Sequence, residues 1–174
     1  MFSAIREAMR ALLRHWPWAA LIASAAALAI AHGFQTFGHL APCELCLKQR
    51  EVYWMALALA ALGIAAGYTA WRVRGVRVAC IALAVIFAWG AVLAGYHAGV
   101  EWKWWPGPAT CSGGATSVSG ADLAALLHGA KLSMPQCDKP AWVFLGLSMA
   151  GWNFLASLVL AILSVLAMGQ RRAP

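Results

Sequence analysis

The sequence predicts an all-α membrane protein: a four-transmembrane-helix bundle with one short amphipathic interfacial helix in its second outer loop. Three observations predict it. Hydrophobic residues make up 63% of the 174-residue chain and charged residues only 11%, where soluble chains carry roughly a quarter charged. Four stretches reach the length of about 20 apolar residues that a bilayer-crossing helix needs. The arginines fall in short clusters between those stretches. No composition shift marks off a soluble domain, so residues 1–174 read as a single integral membrane domain. The net charge of +7 is the kind that sets topology in a lipid bilayer, not the lining of a nucleic-acid groove, so no nucleic-acid partner is expected.

The spans run over about 17–37, 52–70, 76–96 and 142–168. All are rich in alanine and glycine, and small residues let helix backbones approach closely where lipid gives no hydrophobic drive to associate. Gly63 with Gly67, and Gly146 with Ala150, form small-xxx-small pairs. The first span also fits a secretory signal, with Arg14 ahead of it and an A-x-A site at Ala29-Ile30-Ala31. It exceeds the apolar core of such signals and is read as a retained span.

Arg6, Arg10 and Arg14 precede the first span, Arg72, Arg74 and Arg77 fill the turn between the second and third, and Arg171 and Arg172 follow the fourth. With four spans all three clusters share one side. Lys48, Arg50, Lys103, Lys131 and Lys139 fall on the other. The bias predicts cytoplasmic termini and outer loops over about 38–49 and 97–141. Inside the second loop, Leu123, Leu126, Leu127 and Ala130 recur at the spacing of one helical face, with Ser119 and Asp122 as a start signal. This is the expected interfacial helix. Many of the ten tryptophans, Trp16, Trp18, Trp71 and Trp142 among them, sit where apolar runs meet polar ones and read as headgroup-level anchors.

Four of the five cysteines, Cys43, Cys46, Cys111 and Cys137, fall in the two outer loops, which face a compartment where disulfides persist. Cys43-Glu44-Leu45-Cys46 can close a small, easily exchanged disulfide. A helix beginning beside it presents unpaired N–H groups to sulfur and favours the thiolate. Arg50, about one turn on, adds positive charge to that face. Glu44 opposes this, since a nearby carboxylate disfavours a thiolate. Cys111 and Cys137 fit a structural staple or an exchanging pair equally well. A four-thiolate zinc site is a poor reading, because a second C-x-x-C is lacking, and no metal is expected. Cys80, roughly 25 Å down the third span by helical rise, reads as a small buried hydrophobe.

At this point the residues resemble a family. Pro42-Cys43-x-x-Cys46-x-x-x-Arg50 opening the second span is similar to the disulfide bond formation protein B (DsbB) family, and so is Tyr96-His97-x-Gly99-Val100-Glu101-Trp102. So are Cys111 soon after Pro106-Gly107-Pro108, Pro135-x-Cys137-Asp138, and the run from Trp142 to Phe154. The likeness covers nearly the whole chain.

The resemblance implies a thiol:quinone oxidoreductase of the bacterial inner membrane with its redox loops in the periplasm. Cys111 would be attacked by a reduced, soluble periplasmic DsbA-like thiol oxidase. Cys137 would be its disulfide partner and, once released, would attack Cys43. Cys46 would be the thiolate facing ubiquinone or menaquinone from the membrane quinone pool. Arg50, His97 and Met149 match positions beside the quinone. The competing expectation is a disulfide-stapled scaffold or small transporter without redox catalysis. Transport is disfavoured because the spans lack a row of ionisable residues.

Overall fold

The computed structural model describes residues 2–108 and 137–170, apart from the side chain of Phe2. Five α-helices carry most of it: α1 (Phe2–Arg14), α2 (Trp16–Thr36), α3 (Glu44–Ala66), α4 (Arg72–Glu101) and α5 (Met149–Gly169). A two-stranded hairpin, β1 (Val143–Phe144) and β2 (Leu147–Ser148), precedes α5. Cys111, the expected interfacial helix, and Arg171 with Arg172 lie outside the described residues.

By length and composition α2, α4 and α5 can each cross a bilayer. The 23-residue α3 is more polar at its start, where Glu44, Lys48, Arg50 and Glu51 fall within two turns. α4 packs between α3 and α5, and α2 packs on α3.

Small residues make up much of the core, and many large apolar ones face outward. Ala20, Ala56, Ala60, Ala94 and Ala167 are fully buried, while Ile22, Leu62, Val85, Val92 and Ile162 are exposed. Water would punish that arrangement, and lipid permits it. Gly63 shows how close the packing is: an added Cβ would sit 2.8 Å from the Ala79 Cβ. Gly90 lies likewise where α3, α4 and α5 meet, with Val52 Cγ1 2.9 Å and Ser157 Oγ 3.3 Å from such a Cβ. At the far end, Trp16 is buried and donates from Nε1 to Ser164 Oγ at 2.9 Å, tying α2 to α5.

Four features depart from the sequence expectations. α1 is an amphipathic helix that the spans did not include, with Ile5 and Met9 exposed beside Arg6 and Arg10. Trp16 is core and not an interface anchor, because α5 offers its indole N–H a serine. The fourth helix begins at Met149, not near 142, because Leu145 and Gly146 both adopt positive φ (51° and 80°) and turn the chain into a hairpin. Gly146 therefore serves the turn, and nothing lies within 4 Å of where its Cβ would be. Ser148 then caps the helix, accepting from Gly151 N–H at 3.1 Å.

Candidate functional site

The site forms where the start of α3, the end of α4 and the start of α5 meet. Cys43 is the N-cap of α3, with its Sγ accepting from the Cys46 N–H at 3.3 Å. One helical turn brings Cys46 Sγ to 2.7 Å from Cys43 Sγ, both as free thiols. Cys137 is fully buried and disulfide-bonded. It packs in one cluster with Cys43, Cys46, Leu45 and Val100. The structure thus brings a cysteine of the second loop onto the dithiol of the first. Cys80 is buried far along α4 among Val76, Leu83 and Phe87, outside any disulfide.

The two thiols of the C-x-x-C differ, and both lie ahead of the apolar part of α3. The hydrogen bond from Cys43 holds Cys46 down to about 7 from the ordinary 9.0, assisted by the Arg50 charge and opposed by burial and by Glu101. The same bond, together with burial, pushes Cys43 up. The two sulfurs titrate as a pair, with the thiolate favoured on Cys46 by the Cys43 hydrogen bond. Glu44, expected to oppose the thiolate, pairs with Lys48 at 3.0 Å. A second carboxylate that opposes the thiolate is Glu101, a turn beyond His97 on α4, buried and bonded by the Ser148 hydroxyl.

Cys46 opens onto a cavity of about 450 Å3. Arg50, His97 and Met149 line it too, so four of the expected site residues share one space. Its walls are apolar and aromatic. Phe34 tilts against Trp142 at 5.2 Å between ring centroids, and Trp142 stacks on Phe144 at 5.6 Å. Arg50 reaches across to α2, donating to Gln35 Oε1 at 2.6 Å and to the Ala31 carbonyl at 3.0 Å. An arginine at the edge of an apolar cavity is tolerable only with such partners.

His97 is buried and joins both cysteine pairs. Its Nε2 lies 3.7 Å from Cys43 Sγ, and its ring hydrogen-bonds the Cys137 backbone. Its Nδ1 meets Gln49 Nε2 at 2.8 Å. Sequence reasoning left Gln35, Gln49, Tyr53 and Asn153 without roles, yet all but Gln35 line the cavity. The available signal was their polarity next to apolar runs, which is costly in lipid unless the groups face inward and pair. Outside the site, Asp138, next to Cys137, pairs with Lys103 at 2.5 Å, which lowers its carboxyl.

Residues 13–167 match the family described as "Disulfide bond formation protein DsbB". The chain belongs to this family. It is 34% identical over 156 residues to Disulfide bond formation protein B 2 of Pseudomonas entomophila, covering 87% of this chain and 88% of that one. It is 33% identical over 150 residues to Disulfide bond formation protein B of Methylococcus capsulatus, covering 82% and 85%. A Shewanella protein of the same name shares 32% over 159 residues, covering 86% and 87%. No solved structure matches.

Proposed function

We propose that this chain is the quinone-dependent dithiol oxidase of a periplasmic disulfide pathway. It spans the inner membrane four times, with both termini cytoplasmic and its cysteine loops outside. α3 completes the four, since its polar first turns carry the dithiol and its remainder is apolar. The observation that carries the reading is the position of Cys46: a thiol with a lowered pKa at the mouth of an apolar cavity beside Arg50, with Cys137 packed behind it.

The cavity fits a quinone head group. Its volume lies in the range of small-molecule sites, its aromatic walls suit a flat ring, and Arg50 supplies donors for a ring oxygen. Arg50, His97 and Met149 would hold ubiquinone or menaquinone, which when bound accepts two electrons and two protons.

The chain's own residues do the rest. A soluble DsbA-like partner in its reduced form attacks Cys111 of a Cys111–Cys137 disulfide, and Cys137 leaves as a thiolate. Cys137 attacks Cys43 of an oxidised Cys43–Cys46 pair, forming a Cys137–Cys43 bond and releasing Cys46 as the thiolate. Arg50 and the start of α3 stabilise that negative charge. A second partner thiol resolves the partner–Cys111 bond and frees Cys111. Cys111 then resolves the Cys137–Cys43 bond, restoring Cys111–Cys137 and leaving Cys43 and Cys46 reduced. Re-forming the Cys43–Cys46 bond surrenders the two electrons and two protons that the partner delivered.

Membranes containing the protein, given a reduced thiol oxidase, should reduce added quinone. Cys46→Ala should abolish quinone reduction, and Cys111→Ala should block entry of electrons from the protein partner. Full turnover in both variants would overturn the reading. A stapled scaffold would instead keep its disulfides closed under a mild reductant in a thiol-trapping gel.

A further inference from the structure

Along the cavity wall behind the dithiol runs a polar chain that the sulfur exchange itself does not require. Tyr53 Oη donates to Asn153 Oδ1 at 2.5 Å and contacts Ser157 Oγ at 3.2 Å. Asn153 Nδ2 donates to Gln49 Oε1 at 2.5 Å. Gln49 Nε2 meets His97 Nδ1 at 2.8 Å, and His97 Nε2 faces Cys43 Sγ at 3.7 Å. The chain runs from α3 to α5, back to α3, across to α4, and ends at sulfur.

Each link has a direction. An amide presents one donor side and one acceptor side, so turning one amide reverses what it offers its neighbour. With Tyr53 giving its proton to Asn153, the Asn153 amide points its NH2 at Gln49, and Gln49 points its NH2 at His97. Nδ1 of His97 must then accept, and the imidazole proton sits on Nε2. We propose that Tyr53, Asn153 and Gln49 are positioning residues whose hydrogen-bond polarity fixes the tautomer of His97, so that its Nε2–H points at Cys43. The proposal rests on the dithiol reading of the site.

The consequence is chemical. In this tautomer His97 donates toward Cys43 and steadies the negative charge that develops on its sulfur as it leaves the Cys137–Cys43 bond. It cannot take the Cys43 proton at Nε2. In the other tautomer a lone pair would face the sulfur and oppose the thiolate. His97 also hydrogen-bonds the Cys137 backbone; with Nδ1 accepting from Gln49, the same Nε2–H that faces Cys43 serves the Cys137 carbonyl. Among the described residues, Cys46 on α3 has its sulfur within 4.8 Å of the ring, Glu101 Oε1 on α4 lies 3.8 Å from Nε2, and Arg50 lines the same cavity.

The test uses the full-length protein in bilayers with 15N-labelled histidine, reading the His97 ring nitrogens by NMR and quinone turnover in parallel. Wild type should show Nε2–H alone. Asn153→Asp puts an acceptor where the Nδ2 donor was, so Gln49 must turn its amide and His97 should switch to Nδ1–H. Asn153→Leu removes the enforcement and should give both tautomers. Turnover should fall about tenfold in the variant that switches, the change expected from losing one hydrogen bond to an ionised group. Asn153→Asp retaining Nε2–H while Asn153→Leu shows both forms still supports the chain, the introduced carboxyl being protonated and donating as the amide did. Nδ1–H in wild type, or Nε2–H alone in both variants, overturns it. The tautomer is read without turnover, so a wild type that reduces no quinone yet shows Nε2–H would sink the proposed function and leave this inference standing.

Discussion

Cys80 and the Cys43–Cys46 pair are all substantially buried sulfurs in one bundle, yet they sit at different places in it. Cys80 is fully buried among Val76, Leu83 and Phe87 in the apolar core. Cys43 and Cys46 sit at a helix start, with a backbone N–H on one sulfur, a histidine at 3.7 Å and an arginine lining the same cavity. Burial in hydrocarbon raises the cost of a thiolate, while a helix N-terminus and a guanidinium lower it. Burial alone therefore does not mark a reactive thiol. The polar groups that the bundle gathers at one end do.

The largest expected contrast is between two alanine substitutions. Cys46→Ala should leave no measurable quinone reduction, whereas Cys80→Ala should keep turnover within about twofold of wild type, because the change removes one small buried atom far from the cavity. A quinone-reduction assay on both membranes decides it. A Cys80→Ala variant as inactive as Cys46→Ala would mean the two ends are coupled and the comparison is false.

The role of Arg50 comes next. Its guanidinium spans from α3 to Gln35 and Ala31 of α2 at the cavity edge. Arg50→Met keeps the stem and removes the charge. Turnover should drop roughly 10- to 100-fold, matching the loss of hydrogen bonds to charged groups worth about 1.5–3 kcal/mol. Arg50→Lys restores the charge but not the fork, so it should recover only part. If Arg50→Met runs at wild-type rate, the residue is merely an anchor.

Much of this was legible in the sequence, and the reasons differ by residue. The long spans show because lipid demands unbroken apolar runs, and the C-x-x-C shows because its spacing is local. What stayed hidden depends on contacts between distant segments. Gln49 and Asn153 are 104 positions apart and acquire meaning only once α3 and α5 pack. Glu44 lies inside the motif and pairs with Lys48 at one helical turn, whereas Glu101, on another helix, reaches Cys46 only once α3 and α4 pack. The hairpin at 143–148 was lost inside an apolar run because its turn uses Leu145 at positive φ, where glycine or asparagine would have signalled it.

A pH series sharpens the thiol contrast. With Cys46 held near 7, its thiolate fraction, and so its alkylation rate in the reduced protein, should rise about tenfold per unit below that pH and level off above it. An ordinary cysteine keeps rising to about 8.5. Cys80 should stay unmodified across the range until the protein unfolds. Mass spectrometry after timed alkylation separates the sites. A Cys46 profile still climbing steeply above pH 8 would show that Arg50 and the helix start do not lower this thiol.

The smallest effect probes the other end of the bundle. Trp16 Nε1–H donates to Ser164 Oγ at 2.9 Å in the buried core. Trp16→Phe removes that donor and some volume. Ser164 is not orphaned, because its hydroxyl already donates to the Leu160 carbonyl at 2.7 Å. The penalty should therefore be a single net hydrogen bond plus part of a ring, roughly 1–2 kcal/mol, read from denaturant unfolding in detergent. Turnover should not change, since neither Trp16 nor Ser164 lines the cavity. A loss of activity without a loss of stability would instead show that α2 transmits strain from Trp16 to the Ala31 carbonyl that holds Arg50.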